Sequence, residues 1–239
     1  MPGTRVASFH LVRERPGQAV RALTRLATDR LHLGHTDGLT FWRLLGTGRG
    51  RDTGLGIDPL RTAVFAVWED DGALDEFLSV SPVARRWAGA EEAYTVRLRA
   101  LGGHGTWRGC DVVGEVARDA PGPGPVAVLT RATVRLRRWK PFIAAGYQVS
   151  TEVGDAPGLL AVVGTGEAPL GRQATFSLWR DVTDARAFAY SAPRHVDAVR
   201  RTRLDGWYGE QLFARFRPYG SVGTWDGVDP LDRSSGSSG

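Results

Sequence analysis

Short apolar runs with strand-like alternation recur along the chain, separated by stretches in which apolar residues return at helical spacing. Val6-Ala-Ser-Phe-His-Leu-Val12 predicts a first strand, and Gln18 to Arg30 predicts an amphipathic helix. The run ending in Leu44-Leu-Gly-Thr-Gly48 and the run Thr62-Ala-Val-Phe-Ala-Val-Trp68 predict a second and a third strand. Asp70-Asp-Gly-Ala-Leu-Asp-Glu-Phe-Leu78 opens with an acidic cap and reads as a second helix. Ser81-Pro82 breaks it and restarts a helical piece, since proline suits a first helical turn. Ala93-Tyr-Thr-Val-Arg-Leu-Arg-Ala-Leu101 closes the series as a strand.

The same order then returns. Val126-Ala-Val-Leu-Thr-Arg-Ala-Thr-Val134 is a strand, Trp139 to Val153 a less regular helix, and Val162-Val-Gly-Thr-Gly166 and Ala174-Thr-Phe-Ser-Leu-Trp179 two more strands. Asp181-Val-Thr-Asp-Ala-Arg-Ala-Phe-Ala189 is a capped helix, Ala192-Pro193 a break, and Leu212-Phe-Ala-Arg-Phe-Arg-Pro-Tyr219 the last strand. Gly105-Thr-Trp107 and Gly223-Thr-Trp225 lie 118 positions apart, as do Leu44-Leu-Gly-Thr-Gly48 and Val162-Val-Gly-Thr-Gly166, whereas Trp68 and Trp179 are 111 apart. Matching order over most of the chain indicates duplication.

Each copy reads β-α-β-β-α-β, the ferredoxin-like unit, whose sheet has one face under helices and one bare. Two copies can bury their bare faces together, so the predicted class is α+β, with tandem ferredoxin-like repeats forming an intramolecular α+β barrel. The expected divisions are a structural N-terminal repeat at 1–119, a linker at 120–125 (Ala120-Pro-Gly-Pro-Gly-Pro125), a ligand-binding C-terminal repeat at 126–232 and a cloning remnant at 233–239.

Composition alters this picture little. Hydrophobic residues are 42% and charged residues 24% of 239, ordinary for a globular chain. The net charge of +5 raises nucleic acid as a partner, but the arginines are scattered among acids and Lys140 is the lone lysine, so none is expected. One cysteine, Cys110, excludes an internal disulfide and cysteine-ligated clusters. With no membrane-length apolar run and no signal peptide at the N-terminus, a cytoplasmic location is expected, with at most transient membrane contact.

Candidate chemistry centres on His195. It shares a helical stripe with Ala198, Val199 and Thr202, where small side chains leave room for something flat. The imidazole reads either as a capping or buried histidine or as an axial ligand of haem iron. Aligned on the helix-break prolines, Ala84 stands in its place in the first copy, which suits a single site in the second. Arg203 lies on the fringe of the stripe, where it reads as a solvated arginine or a partner for a haem propionate. Cys110, the His32–His35 pair and the isolated His10 and His104 are weaker candidates; a metal pair at His32 and His35 lacks a third ligand. The two Gly-Thr-Gly segments read as tight turns requiring positive φ, and Trp68, Trp179, Trp107 and Trp225 as core and corner packing.

Leu129-Thr-Arg-Ala-Thr-Val-Arg135, Gln173-Ala-Thr-Phe-Ser-Leu-Trp179, Asp205-Gly-Trp-Tyr-Gly-Glu-Gln-Leu-Phe-Ala-Arg-Phe216, Gly223-Thr-Trp-Asp-Gly227 and Gly38-Leu-Thr-Phe-Trp-Arg-Leu-Leu-Gly-Thr-Gly48 resemble the spheroidene monooxygenase family. The resemblance covers nearly the whole chain apart from linker and tail. It implies an enzyme carrying haem b that inserts oxygen from O2 into a C–H bond of an apolar, carotenoid-like or natural-product substrate, with electrons from a ferredoxin. It also implies His195 as the iron ligand and Val199 and Arg203 along the cofactor, with Thr133, Ser177 and Phe213 of the second copy's sheet lining the pocket. Three other readings remain open on the same fold: a haem-dependent dehydratase or lyase of the aldoxime dehydratase type, a cofactor-free monooxygenase, and a non-catalytic haem-binding barrel.

Overall fold

A computed structural model describes residues 4–49, 56–114, 116, 122–134, 154, 156–168, 172–191 and 208–232. Its first repeat runs β1 (Val6–Arg13), α1 (Ala19–Gly34), β2 (Leu39–Gly48), β3 (Ile57–Trp68), α2 (Asp71–Val80), α3 (Pro82–Ala88) and β4 (Glu92–Gly105). The second runs β5 (Val126–Val134), β6 (Leu159–Ala168), β7 (Arg172–Trp179), α4 (Val182–Ser191) and β8 (Tyr208–Gly223). The helix expected at Trp139–Val153 and the helical piece after Pro193 lie outside the described residues.

All eight strands join one closed antiparallel barrel in the order β1-β3-β2-β6-β7-β5-β8-β4. Within it each repeat keeps the ferredoxin-like order: β4-β1-β3-β2 in one, β8-β5-β7-β6 in the other. Two seams weld them. Along the longer, β4 pairs β8 from Tyr94 opposite Gly223 to Gly105 opposite Leu212. The shorter pairs Gly46 with Gly166 and Thr47 with Thr165, joining β2 to β6. Closure removes every free edge within the barrel.

The shorter seam corrects the reading of the Gly-Thr-Gly segments. They are the ends of strands, not turns, and their glycines are absent from the left-handed region, which holds Gly105 and Gly223 instead. What the seam needs is slimness, since Gly46 faces the Gly166 carbonyl across it.

The Gly-Thr-Trp phrases build matched corners. Gly105 and Gly223 both have φ of 88°, and Arg108 and Asp226 follow at 53° and 54°. Each corner closes by a backbone bridge, Trp107 with Cys110 and Trp225 with Val228. The repeats exchange supports. Glu210 of β8 accepts from the Gly109 N–H at 2.8 Å and the Thr106 hydroxyl at 2.9 Å; Glu92 of β4 accepts from the Gly227 N–H at 2.7 Å and the Thr224 hydroxyl at 3.0 Å.

The barrel interior is solid. Phe9 stacks on Phe176 with centroids 3.9 Å apart, and Phe65 lies between Trp107 and Phe216. Large apolar side chains of this kind contribute roughly 1.5–3 kcal/mol each on burial, so this packing is a principal source of stability. A ligand site must therefore be sought outside the barrel wall.

Candidate functional site

The outer faces of the two repeats begin from equivalent strands. Val6 pairs with Trp68 as Val126 pairs with Trp179, and Ser8 pairs with Arg97 as Val128 pairs with Arg215. In each repeat a tryptophan ring rests on a helix phenylalanine, Trp68 on Phe77 and Trp179 on Phe188. Asp70 caps α2 by accepting from the Ala73 N–H at 2.9 Å, and Asp181 caps α4 from Thr183 and Asp184 at 2.7 and 2.9 Å.

On the first repeat this outer face is filled. Leu33, Leu74, Phe77 and Val83 of the three helices pack onto Val64, Ala66 and Trp68. The buried His10 ring bridges Ser8 at 2.7 Å and Thr95 at 2.9 Å, with the Trp87 ring tilted against it at 4.6 Å. Burial, aided by the nearby Arg97 charge, pushes its pKa down to about 3, so the ring is neutral and used structurally.

On the second repeat the described residues of the same face border a cavity. A cavity of about 420 Å³ lies between the outward residues of β5, β7 and β8 and the inner side of α4. The sheet presents a floor in which Thr130, Thr175, Ser177 and Arg215 are set among Val128, Val162, Trp179 and Phe213. The helix presents Val182, Ala185, Phe188 and Ala189. Where His10 fills the first repeat, Thr130 stands here, and Leu74 is matched by Ala185. Hydroxyls and a guanidinium below an apolar wall suit a flat, mostly apolar ligand with a polar or anionic part.

Of the residues expected at this site, Ser177 and Phe213 line the cavity. Thr133 does not: strand alternation puts it on the face of Leu129, which packs in the barrel interior, and the cavity-facing threonine of β5 is Thr130. His195, Val199 and Arg203 lie outside the described residues. Thr130, Thr175, Arg186 and Arg215 were missed, although comparing the two copies position by position contained a signal for both arginines.

The weaker candidates have structural settings. His32 and His35 each use Nδ1 on a carbonyl of their own helix, Thr28 and Leu31, at 2.8 Å. Cys110 is exposed in the first corner, and His104 lies at the cavity with its ring over Phe213. The four tryptophans at matched positions are buried in cores and corners. Among the described residues no group of three or more His, Cys, Asp or Glu side chains could hold a metal ion. No described helix is long and apolar enough to cross a membrane.

A second polar cluster closes one barrel mouth, where Arg131 meets Glu210 and Glu167, and Glu167 also meets Arg108 and Arg43. Each of its three arginines meets a carboxylate, whereas among the described residues Arg215 and Arg186 of the cavity meet none.

Fold and cavity together define an α+β barrel of two ferredoxin-like repeats with a ligand-sized space under the second repeat's helix. Solved structures share this fold: an aldoxime dehydratase aligns with a TM-score of 0.61 at 13% identity, covering 92% of this chain and 83% of the other. An aldoxime dehydratase in complex with butyraldoxime aligns at 0.60 and 12% identity, over 91% and 82%. No protein-family model matches the chain. Among curated relatives, the spheroidene monooxygenase of Rhodobacter capsulatus is 34% identical over 216 residues, 87% of this chain and 88% of that protein. Those of Rubrivivax gelatinosus and Cereibacter sphaeroides are 34% and 32% identical, over 80% and 87% of this chain. The chain spans 73% of the length of the former and 65% of the latter. The chain belongs to the spheroidene monooxygenase family.

Proposed function

We propose that the chain is a haem-dependent monooxygenase acting on an apolar, carotenoid-like substrate, with the cofactor housed in the cavity of the second repeat. The carrying observation is the contrast between the described residues of the two repeats: the first packs its outer sheet face with helix side chains, and in the second they border a cavity of about 420 Å³ under α4. Family membership supports the monooxygenase class. The lining suits a porphyrin, with an apolar wall for the macrocycle and a guanidinium for carboxylates. The proposed iron ligand is His195, with Val199 and Arg203 near it on the helical stripe expected from the sequence.

When bound, haem would supply the O2 chemistry that no side chain provides. One oxygen atom would enter a substrate C–H bond and the other leave as water, with two electrons delivered by a ferredoxin-type donor and two protons taken from solvent. The protein's part is to orient the substrate over the hydroxyl-bearing floor and exclude water beneath α4.

The purified protein titrated with haemin should develop a Soret band that is lost in His195→Ala, and with a reductant and O2 it should oxidise an acyclic carotenoid. A protein that stays colourless with added haemin overturns the reading, and turnover of an aldoxime without reductant replaces it with a dehydratase.

A further inference from the structure

The duplication provides an internal control for the charges at the cavity. Arg97 in β4 and Arg215 in β8 occupy the same position of the fold, since Arg97 pairs with Ser8 and Arg215 with Val128 at the same rung of β1 and β5. In the first repeat α2 answers the guanidinium with two carboxylates: Asp71, at 3.4 Å, and Asp75. Tyr219 adds a hydrogen bond to Asp71 that holds it in place.

The second repeat keeps the arginine and removes both answers. Counting from the matched caps Asp70 and Asp181, Asp71 becomes Val182 and Asp75 becomes Arg186. Both replacements line the cavity, together with Arg215. The Arg215 Nε is buried without a hydrogen-bond partner, and among the described residues neither Arg215 nor Arg186 meets a carboxylate. The guanidinium lies near Gly102, where a Cβ would stand 3.9 Å from its Nη2. A half-buried guanidinium without a counter-charge is unfavourable, and a second arginine placed toward it makes the site more so, unless an anion arrives with the ligand.

We infer that Arg215, with Arg186 at the rim, is the anion subsite of this cavity, and that the ligand carries a carboxylate-class group seated against them on an otherwise flat, apolar body. The inference deepens the proposed function, on which it rests for the identity of the ligand. The anionic oxygens come either from the propionates of the cofactor or from a separate small anion.

Two fluorescent probes test the subsite without haem: 8-anilinonaphthalene-1-sulfonate, apolar and anionic, and N-phenyl-1-naphthylamine, its uncharged counterpart. Loss of a charge-assisted hydrogen bond predicts that Arg215→Gln weakens the sulfonate probe by about tenfold or more and leaves the neutral one unchanged. Arg186→Asp recreates the first repeat's Arg97–Asp75 arrangement, so it should weaken the sulfonate probe likewise without lowering Tm. This second variant keeps the test valid if Arg215→Gln fails to fold. Equal weakening of both probes, or no selective weakening of the sulfonate, overturns the inference.

A parallel titration with haemin and haemin dimethyl ester identifies the source of the anion. Selective loss of haemin affinity in Arg186→Asp assigns the subsite to the propionates. Equal affinities for haemin and its ester, with the sulfonate effect intact, assign it to a separate anion. If wild-type protein discriminates the fluorescent probes but takes up no haemin, the haem reading fails and the anion subsite stands.

Discussion

The indole N–H of Trp107 donates to a carboxylate oxygen of Glu167 at 2.6 Å, joining the first repeat's corner to β6 of the second. The Glu167 side chain is 6% exposed and also receives the Arg108 Nε–H at 2.8 Å, with Arg131 at 3.6 Å. Removing the carboxylate leaves the buried indole N–H without its acceptor and takes from the buried Arg131 one of its two carboxylates, Glu210 remaining. Glu167→Ala should therefore cost about 3 kcal/mol of unfolding free energy, with Glu167→Gln losing less because its amide oxygen still accepts from Trp107. Urea denaturation followed by tryptophan fluorescence checks both, and equal stability of all three proteins would contradict a structural role for this carboxylate.

His10 predicts a specific acid sensitivity. Its pKa is about 3 in the fold against 6.5 unfolded, so below pH 6.5 the unfolded chain takes up a proton that the native chain refuses. Stability is thus full above about pH 6.5 and erodes as pH falls toward 3. At pH 5 the loss from this group is about 2 kcal/mol. His10→Gln keeps polar atoms near Ser8 and Thr95 and removes the titration, so the drop in urea midpoint between pH 7 and pH 5 should shrink in the variant. A drop of unchanged size would show that the ring protonates in the native state.

Strand alternation made the barrel's wall legible, because one face of every strand had to be apolar and the order repeated. Its closure was harder to read. The seam at Gly46 and Gly166 consists of two residue pairs from opposite halves, and nothing local distinguishes a slim strand end from a turn. The same period-two logic separates Thr130 from Thr133, three positions apart and therefore on opposite faces. The cavity itself was invisible, because Val182, Ala185 and Phe188 have the spacing of any helix packed on a sheet. What the sequence did contain was the exchange of Asp75 for Arg186 at a matched position, a change of charge that packing alone does not explain.

The corners predict a strong glycine requirement. Gly223 has φ of 88°, and a Cβ there would overlap the Ala93 carbonyl oxygen; at Gly105 it would overlap that of Gln211. Left-handed backbone and collision act together in Gly223→Ala, for an expected loss of about 3 kcal/mol. Gly227→Ala, also at positive φ but with nothing within 4 Å of the new atom, should lose only about 1 kcal/mol. Comparing the two melts separates steric collision from backbone strain, and equal losses would argue against the close approach at Gly223.

Ala185→Leu restores on α4 the side chain that its counterpart Leu74 buries completely in the first repeat. If the space beneath α4 exists to receive a ligand, filling it should stabilise the free protein and damage uptake at once. Three added carbons at roughly 0.8 kcal/mol each give about 2 kcal/mol, or a rise in Tm of about 6 °C for a domain of this size. The same methyls would occupy the volume beside Ser177 and Phe213, so affinity for haemin should fall by about tenfold or more. Calorimetry and a haemin titration on one preparation read both effects. A lower Tm would mean that the wall has no room for the leucine, and a higher Tm with haemin affinity intact would place the cofactor elsewhere in the protein.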